Sequence, residues 1–385
     1  MNEQALKVTM EKVVAWRRYF HQHPELSFEE KETSAFAAEK LRAFGWNVRT
    51  GVGGFGLVAD MDGKLPGQRV ALRADMDALP IQDAKQCEYA SKVPGVMHAC
   101  GHDGHTSALL GVAELLAHSR DRWTGSVRLL FQPAEEVPPG GATAMIRDGA
   151  LEGVDVIYGV HLWTPFPSGE VYTVPGPMMA AADEFTVTIR GKGGHGGLPH
   201  ESVDSVAVGA HFVVNAQSII SRNIDPTSPS VLSIGSIHAG TTFNVIAASC
   251  KLQGTVRSFD PQTRTFLKQR VEEVLKATCQ MFGAEGHIEY LLGYPPVVNH
   301  EAPVERVRDA AIRLFGEDRV KTSPLIMAAE DFSYYLEQVP GCFIFVGAGT
   351  DAVWAPHHHP EFDIDEKALE TSVRLLYALA AGQDV

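Results

Sequence analysis

Cysteine is scarce in this chain, and so are long apolar runs. Of 385 residues only five are cysteines, and they are scattered without the spacing of a disulfide framework. No stretch approaches the roughly 18 apolar residues that a membrane span needs. The first twenty residues carry charges throughout and lack the apolar core of a signal peptide. We therefore expect a cytoplasmic protein with reduced thiols and no membrane partner.

Positive charge is also in short supply. Lysine and arginine number 33 against 47 aspartates and glutamates, which gives a formal net charge of −14. Binding to a phosphate backbone needs clustered positive charge, so we expect no nucleic-acid partner.

Several catalytic signatures are missing as well, namely the GxSxG elbow of serine hydrolases, the P-loop and a GxGxxG that opens a helix. These absences direct attention to metal chemistry.

The order of predicted elements indicates an α/β fold. Helices such as ETSAFAAEKLRAFG and HTSALLGVAELLAHSR alternate with short apolar strands such as RVALRADMD and VDVIYGVHLW. This alternation predicts a mostly parallel sheet with helices on both faces. A chain of this length also favours two domains over one.

The pattern changes near residue 182. From there to residue 294 the order is strand, helix, two strands, helix and strand, which is the ferredoxin-like α+β plan. The first pattern returns after Tyr294. We therefore predict a discontinuous catalytic domain, residues 1–181 and 295–385, and an inserted domain, residues 182–294.

Five short stretches place metal-type ligands beside predicted strand ends, where open α/β sheets bind their ligands. They are ALRADMDALP with Asp75 and Asp77, MHACGHDGHT with Cys100, His102, Asp103 and His105, QPAEEV with Glu135 and Glu136, GVHLW with His161, and PHHHPEFDID with His357, His358 and His359. Taken singly, such a histidine is usually hydrogen-bonded and such a cysteine is usually a small buried hydrophobe. Together, a thiolate, imidazoles and a carboxylate predict a site for zinc, nickel, cobalt or manganese.

A site of this kind supports metal-assisted hydrolysis. A divalent metal lowers the pKa of water towards neutrality and polarises a carbonyl group. The reaction also needs a base that takes the proton from water and passes it to the leaving group. The adjacent carboxylates Glu135 and Glu136 suit a division of labour, because one can bind metal while the other carries the proton.

Seven motifs, in this order, resemble the M20 family of metallopeptidases: RADMDALP, HACGHDGHT, QPAEE, GVHLWTPFPSG, GKGGHGGLPH, FNVIA and HHHPEFDID. More narrowly they resemble its amidohydrolase branch, which includes aminoacylases, hippurate hydrolases, N-acetyldiaminopimelate deacetylases and indole-acetyl-amino-acid hydrolases. The resemblance spans essentially the whole chain. It implies a catalytic domain with a dinuclear metal site and an inserted lid or dimerisation domain.

The resemblance also implies roles for individual residues. Two divalent ions (Zn, Mn, Co or Ni) would be held by Cys100, His102, Glu136, His161 and His358. Glu135 matches the general base, and Asp77 matches an aspartate that orients a ligand. Asp75 stands where related M20 enzymes have a ligating histidine, a departure typical of the branch in which Cys100 supplies a ligand instead. Asp103 and His105 are expected to hold the turn and the helix start, with His98 as nearby support.

In the insertion, the resemblance assigns His195, Asn244 and Arg257 to the substrate. His195 matches a histidine that reaches a neighbouring subunit's active site and steadies the oxyanion, which implies a homodimer or homotetramer through the insertion. Asn244 matches a residue that holds the scissile carbonyl, and Arg257 one that grips the substrate's α-carboxylate. The family usually has proline where this chain has Ala247. If the resemblance is set aside, the simpler interpretation is that His195 lies in a turn, Asn244 caps a turn and Arg257 lies on the surface of a strand.

The expected function is hydrolysis of N-acyl-L-amino acids, small molecules that yield a carboxylate and a free amino acid. A dipeptidase or carboxypeptidase of the same family is an alternative that uses the same site on a peptide bond. A non-catalytic metal-binding protein on a hydrolase scaffold is a more distant one, since the ligands and the base are all present in the sequence.

Overall fold

The structure is a computed structural model that describes residues 3–353 and 355–382. These residues fold into two compact units. Unit 1 contains the chain up to Met178, Val298–Pro324 and the chain from Asp331 onward, and unit 2 contains Met179–Val297 and Leu325–Glu330. The short segment Leu325–Glu330 has no signal in the sequence. Among the helices of the described residues, none is both long enough and apolar enough to cross a membrane.

The helices follow one another as α1 (Glu3–Gln22), α2 (Lys31–Ala43), α3 (His102–His118), α4 (Ala142–Arg147), α5 (Ser205–Ser218), α6 (Pro261–Phe282), α7 (Glu301–Phe315), α8 (Ser333–Leu336) and α9 (Lys367–Ala381). The strands are β1 (Asn47–Val52), β2 (Gly56–Asp62), β3 (Arg69–Asp75), β4 (Ser126–Gln132), β5 (Val156–Pro167), β6 (Val171–Thr173), β7 (Gly176–Met179), β8 (Ala181–Arg190), β9 (Gly194–His195), β10 (Val231–Ala239), β11 (Val245–Ile246), β12 (Ser249–Ser258), β13 (Glu285–Leu291), β14 (Val297–Asn299), β15 (Val320–Thr322) and β16 (Gly341–Gly349).

Unit 1 is built on an eight-stranded sheet with the order β1-β2-β4-β3-β5-β16-β6-β15. The central strands β4, β3, β5 and β16 run parallel to one another, whereas β2 and β6 run antiparallel to their central neighbours. Every residue of β16 is buried, as expected for a strand covered on both faces. The predicted α/β fold with a mainly parallel sheet is confirmed.

Helix α3 lies at the centre of the unit 1 core. Its residues from His102 to Leu116 are all buried, and it packs against α1, α9 and β3. The adjoining core is formed by aliphatic side chains of the strands and helices, including Leu72, Leu109, Leu129 and Ile344. The first turn of α3 is therefore held rigidly against the carboxyl end of the sheet.

Unit 2 contains the predicted succession β8, α5, β10, β12, α6 and β13. Its four-stranded sheet has the order β10-β12-β8-β13 with antiparallel neighbours. The two helices cover the sheet with a separate apolar core that includes Phe185, Phe212, Leu252 and Val271. That this unit acts as a lid or dimerisation domain stays a prediction.

The predicted ligand stretches of unit 1 lie at one edge of its sheet. Asp75 is the last residue of β3, Gln132 the last of β4, and His161 lies within β5. In a parallel sheet the carboxyl ends of neighbouring strands meet at the same edge, which is where ligands bind in open α/β folds. The fold thus brings distant stretches of sequence to one place.

Candidate metal centre

The motif MHACGHDGHT forms the turn that opens α3. Gly101 adopts a left-handed conformation with φ of 92°, and α3 begins at the next residue, His102. Glycine takes this conformation without the steric cost that a Cβ would add. The turn lets the side chains of Cys100 and His102, on either side of it, reach the same buried space.

The ring of His102 is held by Asp77. His102 Nδ1 lies 2.9 Å from the Asp77 carbonyl oxygen and 3.2 Å from Asp77 Oδ1. Both partners are acceptors, so Nδ1 donates to Asp77, and Nε2 is the ring nitrogen that would bind a metal. His102 Nε2 is buried and has no hydrogen-bond partner among the described residues.

Other ligand-type atoms surround this nitrogen. Glu136 Oε1 lies 3.9 Å from His102 Nε2 and 3.4 Å from His358 Nε2. Cys100 Sγ lies 3.5 Å from His161 Nε2. Donor atoms of Cys100, His102 and Glu136 all lie within 4.8 Å of one another. All five predicted ligands therefore converge within unit 1.

The other ring nitrogen of His161 is engaged by the backbone. His161 Nδ1 donates to the Leu162 carbonyl oxygen at 2.9 Å, which leaves Nε2 facing the Cys100 thiol. His358 has a positive φ of 64°, and its backbone N–H donates to the Ala99 carbonyl oxygen at 2.8 Å. This bond joins the loop that carries His358 to the segment that carries Cys100.

The pocket is rich in negative charge. Burial by itself lowers the pKa of His102, but Asp75, Asp77 and Glu136 outweigh it and raise that pKa to about 10. Burial, followed by Glu136 and Glu135, raises the pKa of the Cys100 thiol well above its usual value. A buried cluster of this kind favours a bound cation, which would balance the carboxylates and stabilise the thiolate.

The donor set fits divalent metal ions. Two of its atoms, His102 Nε2 and Glu136 Oε1, are buried without a hydrogen-bond partner in the described residues. Buried polar atoms left unpaired are costly and rare in native proteins. A thiol, imidazoles and a carboxylate form the ligand set of borderline metals rather than of magnesium or calcium.

Glu135 and Asp77 lie beside the cluster. Glu135 is buried, and its Oε2 lies 4.0 Å from His102 Nε2. Asp77 Oδ2 accepts from the Glu136 backbone N–H at 2.9 Å and from the Ser27 hydroxyl at 2.7 Å. Asp77 therefore connects the His102 ring with the backbone of the Glu135–Glu136 loop, a geometry that suits an orienting residue.

Asp75 belongs to a buried network that the sequence did not reveal. Its carboxylate accepts from Arg73 Nη1 at 2.5 Å and from His105 Nδ1 at 2.6 Å. Arg73 Nη2 also donates to Asp331 at 2.8 Å. The only signal in the sequence is Arg73, a charged residue between the apolar residues Leu72 and Ala74 of β3. The Asp75 carboxylate is thus held by two protein partners, Arg73 and His105.

His105, Asp103 and His357 each have a protein partner, whereas His98 has no hydrogen-bond partner in the described chain. His105 Nε2 accepts from the Leu162 backbone N–H at 2.9 Å, so His105 connects β3 with β5. Asp103 binds α1 rather than the turn, as Arg17 Nε donates to it at 2.9 Å. His357 Nε2 donates to the Leu162 carbonyl oxygen at 3.0 Å. Both ring nitrogens of His98 are buried without a hydrogen-bond partner in the described chain.

The predicted substrate residues lie in unit 2. His195 and Asn244 are neighbours, because β9 pairs with β11 and the Gly196 N–H donates to the Asn244 carbonyl oxygen at 2.8 Å. Both side chains are exposed. Arg257 lies on β12, half-buried, where its guanidinium donates to Thr255 and to the Val256 carbonyl oxygen. Their roles towards substrate stay predictions.

Known proteins resemble the chain in both sequence and structure. A model of Peptidase family M20/M25/M40 matches residues 71–382. An N-acyl-L-amino acid amidohydrolase of Geobacillus stearothermophilus is 48% identical over 289 residues, which cover 75% of this chain and 78% of the relative. Thermostable carboxypeptidase 2 of Saccharolobus solfataricus is 40% identical over 376 residues, covering 96% of this chain and 94% of the relative.

A solved structure from Bacillus subtilis extends the likeness to three dimensions. It is a dinuclear metal-binding peptidase of the M20 family, with a TM-score of 0.85 and 33% identity over 97% of this chain and 98% of that chain. These findings confirm the resemblance carried by the seven motifs and the enzyme class, a hydrolase of amide C–N bonds. The chain belongs to Peptidase family M20/M25/M40.

Proposed function

We propose that the protein is a metal-dependent amidohydrolase that cleaves N-acyl-L-amino acids into a carboxylate and a free amino acid. Cys100, His102, Glu136, His161 and His358 would hold two divalent ions drawn from zinc, manganese, cobalt and nickel. When bound, such ions polarise the scissile carbonyl and lower the pKa of the attacking water.

The convergence of these ligands in a carboxylate-rich pocket is the observation that carries the proposal. Cys100 and His102 are buried there, whereas His358 is exposed. Glu136 lies within 4 Å of both His102 and His358, and two donor atoms of the cluster have no hydrogen-bond partner in the described chain. The 48% identity to an N-acyl-L-amino acid amidohydrolase supports the substrate class.

The chain's own groups divide the remaining work. Glu135 takes the proton of the attacking water and delivers it to the leaving nitrogen, since a buried carboxylate beside the ligands is placed for both transfers. Asp77 keeps His102 in the tautomer whose Nε2 is free to bind metal.

In this proposal, residues of unit 2 bind the substrate. Arg257 grips the free α-carboxylate with its planar guanidinium. Asn244 and His195 donate to the scissile carbonyl, and His195 does so in the active site of a neighbouring subunit. This proposal requires a homodimer or homotetramer, so a verified monomer with full activity would contradict it.

The test is removal and return of metal with a panel of substrates. We expect a chelator to abolish activity and zinc, manganese, cobalt or nickel, added singly, to restore it. Acetyl-L-methionine or benzoyl-glycine should be cleaved faster than an unblocked dipeptide. Full activity in protein shown to be free of metal, or a preference for the unblocked dipeptide, would overturn the proposal.

A carboxypeptidase is the second candidate. The 40% identity to a thermostable carboxypeptidase over nearly the whole chain favours it. The same metal site and the same α-carboxylate grip would serve a C-terminal peptide bond. Cleavage of N-blocked peptides longer than a dipeptide, at rates above those for acetyl-L-methionine, would select this candidate over the first.

A further inference from the structure

The segment HPELSFEE, which follows α1, contributes no predicted ligand, yet it lies against the candidate site. The Glu25 carbonyl oxygen accepts from the Ala78 N–H at 2.8 Å, and Leu26 forms an isolated bridge with Ala78. The Ser27 hydroxyl donates to Asp77. The segment therefore runs along the stretch that carries Asp77.

Glu30 lies at the end of this segment and is completely buried. It occupies the N-cap position of α2, but its side chain makes no capping hydrogen bond. Glu25 caps the helix instead, accepting from the backbone N–H groups of Glu32 at 2.9 Å and Thr33 at 2.8 Å. The carboxylate of Glu30 is thus free to bind elsewhere.

One oxygen of Glu30 binds two unusual backbone positions. Glu30 Oε1 accepts from the Ala134 N–H at 2.7 Å and from the Phe28 N–H at 3.1 Å. Ala134 has a φ of 53° and Phe28 a φ of 67°, and within the described chain the remaining non-glycine residue with positive φ is His358. Non-glycine residues keep this conformation only where their surroundings enforce it.

Ala134 immediately precedes Glu135. Its left-handed conformation sets the direction in which the chain leaves β4 and hence the position of the Glu135 side chain. The Gly141 N–H donates to the Ala134 carbonyl oxygen at 3.0 Å and closes the far side of the loop. A bond at the Ala134 N–H and a bond at its carbonyl oxygen therefore fix this residue from both sides.

We propose that Glu30 is a positioning residue for Glu135, which it places by binding the Ala134 N–H and holding residue 134 in its left-handed conformation. This inference rests on the proposed function, in which Glu135 carries the proton. It assigns a role to the HPELSFEE segment that is distinct from metal binding.

Three variants of the full chain, assayed at saturating metal with acetyl-L-methionine, test the proposal. In Glu30→Leu the acceptor is lost, and we expect kcat to fall by about 10- to 100-fold, since a small misplacement of a reacting group costs that much. KM and metal content should stay close to the wild-type values. Glu30→Gln keeps an oxygen for both N–H groups and should retain most of kcat.

Glu25→Ala is the matched control. It removes the side-chain cap of α2 without changing a contact of residue 134, so it should lower the melting temperature while keeping kcat. If kcat falls as much in Glu25→Ala as in Glu30→Leu, Glu30 has only a general structural role and the inference is overturned. An unchanged kcat in Glu30→Leu, or an equal loss in Glu30→Gln, would also overturn it.

A measurement on the wild-type protein covers the case in which Glu30→Leu does not fold. Amide-resolved hydrogen exchange should show strong protection at Ala134, and fast exchange there in the folded protein would contradict the bond to Glu30. Glu135→Gln separates the two proposals. If Glu135→Gln keeps full turnover, the proposed function fails. If Glu135→Gln loses turnover while Glu30→Leu keeps full activity, only the inference about Glu30 is rejected.

Discussion

Removing the guanidinium of Arg17 should destabilise unit 1 strongly. Arg17 is fully buried on α1, and its Nε donates to Asp103 Oδ2 at 2.9 Å while its Nη2 donates to Asp363 at 2.6 Å. Asp103 follows the predicted ligand His102, and Asp363 lies in the segment that follows His358. One buried cation thus ties α1 to both ligand segments.

The magnitude follows from the carboxylate left behind. Asp103 is fully buried, and besides Arg17 its Oδ2 has His21 Nδ1 at 2.8 Å. Removing one member of a buried ion pair typically costs about 3–5 kcal/mol, because the other charge stays buried and poorly compensated. We expect Arg17→Met to lower the free energy of unfolding of the metal-free protein by about that amount in urea titrations.

Two further variants sharpen the Arg17 test. Adding Asp103→Asn to Arg17→Met should recover part of the loss, since the uncompensated charge is removed. Arg374→Met, which breaks the surface pair with Glu3 at 2.7 Å, should cost far less. If Arg17→Met destabilised the protein no more than Arg374→Met, the reasoning from buried charge would be wrong.

Three other changes have defined outcomes. Cys100→Ser should lower the metal affinity measured by calorimetry by more than about 10-fold, because even groups that only orient a ligand contribute about 10- to 100-fold to metal affinity. An unchanged affinity would show that Cys100 is not a ligand. Asp77→Asn should cost about 10- to 100-fold in metal affinity by loosening His102, and an unaltered affinity would show that His102 needs no such partner. Burial raises the pKa of Glu30 from 4.5 to about 7, so the native state loses stability as pH rises through that window. Glu30→Gln should therefore match the wild type near pH 4.5 and exceed its free energy of unfolding above pH 7 by up to about 3 kcal/mol; a difference independent of pH would refute this.

The convergence of the candidate ligands could be predicted from the sequence, because metal-binding residue types are recognisable without a structure. Cys100 and His102 flank a glycine in one short motif, and the strand pattern placed His161 at the correct edge of the sheet. The α/β class followed from alternating helices and apolar strands, and the ferredoxin-like plan of the insertion from its succession of elements. These features depend on local pattern, which a sequence displays directly.

The supporting contacts could not be predicted, because they join residues far apart in the chain. Arg73 and Asp331 are 258 positions apart, and Glu30 and Ala134 are 104 apart. The left-handed conformation at residue 134 has no glycine to signal it. Asp103, expected to hold its own turn, instead binds Arg17 of α1 because that buried cation needs compensating carboxylates.

The most direct test of the account compares Glu135→Gln with Glu136→Gln in metal content and turnover. If Glu135 carries the proton and Glu136 binds metal, Glu135→Gln should retain the metal content of the wild type. Its kcat for acetyl-L-methionine should fall by about 10²- to 10⁴-fold. Glu136→Gln should instead lose bound metal together with activity. Full turnover in Glu135→Gln with its metal in place would contradict the account.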